Sequence, residues 1–183
     1  LSVEGWLRTG DLGRIDEDGY LWITGRAKDL IIRGGHNIDP AIIEETLMGH
    51  PAGAFVGAIG QPDAHAGEVP AAYVELVEGG NVSVDELKNF MDENITEKAA
   101  MPKHVEILDE LPKTAVGKVF KPDLRKSSII RIYGAALNKA GVEAEITEVI
   151  DSKATGLTAI VAGGEDGAVN DALGSFPRPW TRG

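Results

Sequence analysis

Two helix starts are spelled out in this chain, and they confine it to short helices set between short strands. Asp39 precedes Pro40, an N-cap before a residue whose fixed φ and missing N–H suit the first helical position. Ser83-Val84-Asp85-Glu86 is a capping box, in which hydroxyl and carboxylate satisfy each other's backbone N–H groups. The first start predicts a helix with Ile42, Ile43, Thr46 and Leu47 on one side, stopped by Gly49 and Pro51. The second predicts a helix to about residue 94, with Leu87, Phe90 and Met91 inward. A longer helix is expected from Pro122 to about residue 139, with Gly141 just past its end. Residues 54–59, 69–77 and 104–108 have strand composition, and 60–67 read as a polar loop.

Nearer the start, Asp16-Glu17-Asp18-Gly19 reads as the turn of a hairpin with strands at 13–15 and 20–23. Trp6, Tyr20 and Trp22 are expected in the core of that hairpin. Residues 30–32 form a further apolar strand ended by Gly34-Gly35. The alternation predicts an α+β fold: a small hairpin, then a small sheet with helices packed on it. Residues 142–183 add an extension, read as a hairpin (145–150 with 157–161), a short helix (166–173) and an extended Pro-rich tail (176–180).

Composition narrows the function. The net charge of −11 disfavours nucleic acid, which needs clustered Lys and Arg. With no cysteine, neither disulfides nor thiolate chemistry operate. The four histidines, His36, His50, His65 and His104, lack metal-ligand spacing, so no metal site is expected. No run of about 18 apolar residues exists to cross a membrane, and a cytoplasmic setting is the expectation. The chain opens at Leu1 without a basic segment followed by an apolar stretch, so it reads as a piece of a longer protein.

The chemistry concentrates in residues 112–125, Pro-Lys-Thr-Ala-Val-Gly-Lys-Val-Phe-Lys-Pro-Asp-Leu-Arg. Lys118 follows a glycine in a turn between a strand and a helix. Read from the residues alone, it is either a solvated turn lysine or a mobile point charge placed for phosphate or carboxylate oxygens. Two further segments precede it. One is Gly5-Trp6-Leu7-Arg8-Thr9-Gly10-Asp11-Leu12-Gly13; the other runs from Gly25-Arg26-Ala27-Lys28-Asp29 through Arg33-Gly34-Gly35-His36 to Glu44. In this order, over about residues 4–126, the three resemble the C-terminal part of the adenylate-forming enzymes, the superfamily of acyl-CoA synthetases, adenylation domains and luciferases.

The resemblance implies a two-step reaction. A fatty or other carboxylic acid attacks the α-phosphate of ATP, giving acyl-adenylate and pyrophosphate; a thiol, here CoA, then takes the acyl group and releases AMP. Between the steps the small domain turns about a hinge. Lys118 matches the catalytic adenylation lysine. Asp11 matches the aspartate on the ribose hydroxyls, and Arg26 an arginine on ribose or phosphate; an Asx turn and a surface ion pair are the other readings of these two. Lys28 falls at the hinge, or is a loop lysine. Arg33, Gly34, Gly35 and His36 match the loop beside the pantetheine of CoA, where Gly34-Gly35 would also serve as a plain turn and His36 as a bystander. Glu44 is implied to cap or pair within the domain. Val116 and Lys121 depart from the family's frequent serine and arginine, which bears on substrate subgroup.

The implied division is 1–27 as the end of a large domain and hinge approach, 28–141 as a lid, and 142–183 as an extension for which the resemblance supplies no counterpart. The large N-terminal domain, with its phosphate loop and most of the Mg²⁺ site, would be the lid's partner. An adenylation domain that loads a carrier protein and a non-catalytic binding module remain as alternatives.

Overall fold

The computed structural model describes residues 2, 3 and 5–183. The chain opens with two paired two-residue strands, β1 (Ser2–Val3) and β2 (Trp6–Leu7), and the antiparallel hairpin of β3 (Asp11–Ile15) and β4 (Leu21–Arg26). Asp16 closes the hairpin turn. Its carboxylate accepts from the Asp18 and Tyr20 N–H groups and, at 2.6 Å, from the Trp22 indole. The indole bond first, then the Tyr20 N–H, holds the Asp16 carboxyl below its ordinary range. Gly19 supplies the positive φ, +86°, that the turn requires.

One 3₁₀ turn, Ala27–Asp29, leads from this hairpin into a different sheet. Its strands are β5 (Ile31–Arg33), β6 (His36–Ile38), β7 (Gly53–Asp63), β8 (Gly67–Leu76) and β9 (His104–Leu108). β8 is central. It pairs antiparallel with β7 on one edge, and with β5 and, in parallel, β9 on the other. Helix α1 (Pro40–Met48) joins β6 to β7, and α2 (Val84–Asn94) makes the crossover from β8 to β9.

β7 and β8 are apolar on both sides, so both need cover. Val56, Ala58, Ala72 and Val74 meet Ile43, Leu47, Leu87 and Met91 of α1 and α2. The alternate residues Ile59, Ala71 and Tyr73 meet Leu124 at the start of α3 (Lys121–Lys139) and Leu111. Gly57 permits the approach on this second side: a Cβ there would stand 2.6 Å from Leu124 Cδ1 and 2.9 Å from Val119 Cγ1.

The extension has its own core. β10 (Ala144–Ser152) and β11 (Gly156–Gly163) form a hairpin, and α4 (Asp166–Leu173) carries the chain to β12 (Trp180–Arg182), parallel to β11. Val149, Ala159, Val161, Val169 and Leu173 close on Ile129, Tyr133 and Leu137, the later turns of α3. The tail is pinned by Tyr133, whose hydroxyl donates to the Arg178 carbonyl at 2.6 Å and accepts from the Arg178 N–H at 3.2 Å. Arg178 also pairs with Glu68 of β8 at 2.8 Å. No helix among the described residues is long and apolar enough to cross a membrane.

The α+β architecture agrees with the sequence reading, and three local expectations are corrected. The loop expected at 60–67 shrinks to residues 64–66, because Gly60, Gln61, Pro62 and Asp63 continue the ladder opposite Pro70, Val69, Glu68 and Gly67. The 176–180 tail ends in a paired strand that shields one sheet edge. Trp6, Tyr20 and Trp22 are not core: they are 79%, 69% and 53% exposed, since among the described residues no second layer covers either the β1–β2 pair or the β3–β4 hairpin.

Gly57→Val is expected to lower stability by about 1–3 kcal/mol through overpacking against Leu124, read by urea denaturation. Burial raises the Tyr133 phenol from its ordinary 10.0 to about 12, against the lowering effect of Arg178. A raised folded-state value means that the contribution is complete below pH 10.0 and is lost as pH climbs towards 12. Stability should therefore fall by roughly 2–3 kcal/mol over that window, and Tyr133→Phe should remove that share of the slope.

Candidate functional site

The end of β4 brings the first two candidates together. Asp11 and Arg26 are direct cross-strand partners, and Arg26 Nε lies 3.4 Å from Asp11 Oδ1 in an exposed pair. The Asp11 N–H donates to Thr9 Oγ1 at 3.2 Å, and the Ala27 N–H to the Gly10 carbonyl at 2.9 Å. The first bond turns the Thr9-Gly10-Asp11 segment on itself, and the second ties it to the end of β4. Lys28 is exposed on the 3₁₀ turn. Its neighbour Asp29 is half-buried and accepts from Arg125 of α3 at 2.8 Å, fastening the turn to the helix.

Lys118 stands on a closed loop between β9 and α3. At the base, Lys113 and Val119 form a bridge, and the Phe120 N–H donates to the Pro112 carbonyl at 2.6 Å. At the tip, Thr114 N–H donates to the Lys118 carbonyl at 2.7 Å, and Lys118 N–H donates to Thr114 Oγ1 at 3.2 Å. The turn needs Gly117, at φ +78°. Main chain at Lys118 is thus fixed while the side chain stays exposed.

The 3₁₀ turn and this loop face each other across a cleft of about 420 Å³ lined by Arg26, Lys28, Thr114, Lys118, Lys121 and Arg125, among others. A second cleft of about 310 Å³ adjoins it, sharing Arg26, Asp29 and Lys121 and adding Asp11 and Glu44. The charges are not equivalent. Arg26 is paired with Asp11, Arg125 with Asp29, and Lys121 with Glu44 at 2.8 Å. Lys28 and Lys118 enter no ion pair among the described residues. The arrangement presents two uncommitted cations around one cleft and the Asp11 carboxylate in the adjoining one, a set suited to phosphate, carboxylate and vicinal hydroxyls.

The remaining candidates lie apart. Arg33 and His36 face each other across the β5–β6 turn, where Gly34 and Gly35 take φ +55° and +90°. The Arg33 guanidinium donates to the Ala99 carbonyl at 2.6 Å, and the Gly34 N–H to the Ala66 carbonyl at 2.8 Å. None of these four residues lines either cleft. Asp29 and Arg125 escaped the sequence reading as partners. Half of the signal was present, since Lys121 and Arg125 are four apart and so share one face of α3. Glu44 takes the internal role expected of it, accepting from Lys121 and from the Ala58 N–H at 2.7 Å.

Residues 42–118 match the family described as the AMP-binding enzyme C-terminal domain. The chain is 50% identical over 153 residues to marinolic acid–CoA ligase of Pseudoalteromonas sp. (strain SANK 73390), covering 83% of this chain and 23% of that protein. Because 153 exceeds 141, this match reaches into the extension. It is 47% identical over 122 residues to 2-succinylbenzoate–CoA ligase of Bacillus mycoides (strain KBAB4), covering 67% of the chain and 25% of the relative. Among solved structures it resembles the o-succinylbenzoate CoA synthetase of Bacillus subtilis in complex with its acyl-adenylate intermediate, with TM-score 0.62 and 41% identity over 68% of this chain and 25% of that one. The chain therefore spans about a quarter of the length of these relatives.

Glu44→Ala leaves Lys121 and the Ala58 N–H without their shared acceptor and is expected to cost about 2–3 kcal/mol. Glu44→Gln, which keeps an oxygen for Ala58, should cost about 1 kcal/mol in the same denaturation experiment.

Proposed function

We propose, from the match of residues 42–118 to the AMP-binding enzyme C-terminal domain family, that the chain is the C-terminal lid of an AMP-forming acid–thiol ligase. The ligase activates a fatty or other carboxylic acid with ATP to an acyl-adenylate and transfers the acyl group to CoA. In this division residues 1–27 end the large domain, 28–141 are the lid and 142–183 an added module. The observation that carries the reading is the meeting of Arg26, Lys28 and Lys118 around one cleft, with the Lys118 backbone fixed and its charge uncommitted.

In the first step two anions must approach each other. Lys118 lies between carboxylate and phosphate, lowering that repulsion and stabilising the charge that builds on the phosphate oxygens. Asp11 accepts the ribose hydroxyls, and Arg26 lies beside it at the ribose or phosphate. The exposed ribbon of Trp6, Tyr20 and Trp22 meets the large domain, which gives those aromatics the cover that the described residues lack. The turn at Lys28 is the hinge, being a single turn without buried residues between two sheets. The Gly34-Gly35 turn, flanked by Arg33 and His36, accepts the pantetheine arm of CoA in the second step, where absent side chains let a thin ligand approach backbone. Among the described residues no cluster of three His, Asp or Glu side chains converges on a metal position. Mg²⁺ belongs to this reading with the ATP phosphates, held by the large domain. A cytoplasmic setting is part of the proposal.

In the full-length enzyme, Lys118→Ala should slow adenylate formation on the order of 10²- to 10³-fold. Thioester formation from supplied acyl-adenylate should survive. Normal rates in both half-reactions would make Lys118 a surface lysine and overturn the assignment.

A further inference from the structure

Lys113 lies in the same loop as Lys118, yet its surroundings give it a different task. We propose that the Glu75–Lys113 pair is a positioning clamp that sets where Lys118 points, controlling adenylation without touching the reactants. The proposal rests on the reading of Lys118 as the cation of that step.

The Lys113 ammonium is fully committed. It lies 2.6 Å and 2.8 Å from the two Glu75 oxygens and 4.3 Å from the Phe55 ring centroid. The two side chains are only 20% and 15% exposed, far drier than the usual surface pair. Glu75 also accepts from the Leu111 N–H at 2.8 Å. One carboxylate therefore grips the incoming chain at its backbone and again two residues later at a side chain. Burial pushes the Glu75 carboxyl up; the Lys113 and Leu111 hydrogen bonds outweigh it and hold it below its ordinary 4.5. The Glu75 carboxyl thus stays ionised at neutral pH.

The grip is rigid on one side and short on the other. Glu75 sits on central strand β8, opposite Phe55 of β7 and Leu108 of β9, so neighbours on both edges hold its backbone. Lys113 is bridged across the loop to Val119, the residue after Lys118. The path from sheet to Lys118 is therefore Glu75, Lys113, Val119. Beyond it the tip is exposed from 115 to 118 and is tied only through Thr114. A lysine on a four-carbon stem serves a transition state only if its root is fixed.

The test has two arms. In the 183-residue chain, hydrogen exchange is followed at the Thr114, Gly117, Lys118 and Phe120 amides, each a donor within the loop. Glu75→Gln and Lys113→Met should raise exchange there about tenfold while β8 and β9 amides hold, and Lys113→Arg should restore protection. In the full-length enzyme, Glu75→Gln and Lys113→Met should lower kcat for adenylate formation about 10- to 100-fold with KM for ATP nearly unchanged. Transfer from supplied acyl-adenylate should not change, and Lys113→Arg should recover much of kcat. Unaltered loop exchange overturns the clamp whatever the enzyme does. A loosened loop with full adenylation rate overturns positioning while leaving Lys118 in its role, provided that Lys118→Ala still slows the step as expected. Normal adenylation in Lys118→Ala removes the functional reading and the clamp's purpose together.

Discussion

The structure depends on the burial of β7 and β8 on both faces. Val56, Ala58, Ala72 and Val74 look one way, and Ile59, Ala71 and Tyr73 the other, so one helix layer cannot satisfy the pair. α1 and α2 take the first face. α3 must then close the second, and Gly57 sets how near it comes. Because α3 starts there, the loop before it has to lie over the end of the sheet, and the Lys118 turn opens towards the 3₁₀ turn that carries Lys28. The cleft is thus a product of core packing, with its charged residues placed by the helix that the core demands.

Local chemistry was legible where the signal was local. Asp39 accepts from the Ala41 N–H as an N-cap should, the Ser83–Glu86 box is closed from both sides, and Gly141 takes φ +69° after α3. Residues 104–108 are a strand to the residue. Pairing between distant segments was not legible. Gln61 and Asp63 look like loop residues, and only the backbone partners supplied by Val69 and Gly67 make them strand. β6 and β12 are three residues each, too short to show an alternation. The exposed aromatics misled because tryptophan and tyrosine signal contact without saying with what.

The site divides along the same line. Lys118, Asp11 and Arg26 stood out through ordered motifs. Their supports did not: Arg125 reaches Asp29 across 96 residues of sequence, and Lys113 reaches Glu75 across 38. Spacing says nothing about such pairs. They decide the electrostatics nonetheless. A chain of net charge −11 presents a cationic opening because three of its cleft cations are locally neutralised and two are not.

Helix α3 belongs to two cores at once. Leu124 near its start is locked beneath the sheet, and Ile129, Tyr133 and Leu137 are locked within the extension. At 1.5 Å per residue its 19 residues make a beam about 28 Å long. Arg178 braces the far body back onto β8 through Glu68. The two bodies consequently share one frame, so a push on the outer module is carried along the beam to the root of the Lys118 loop.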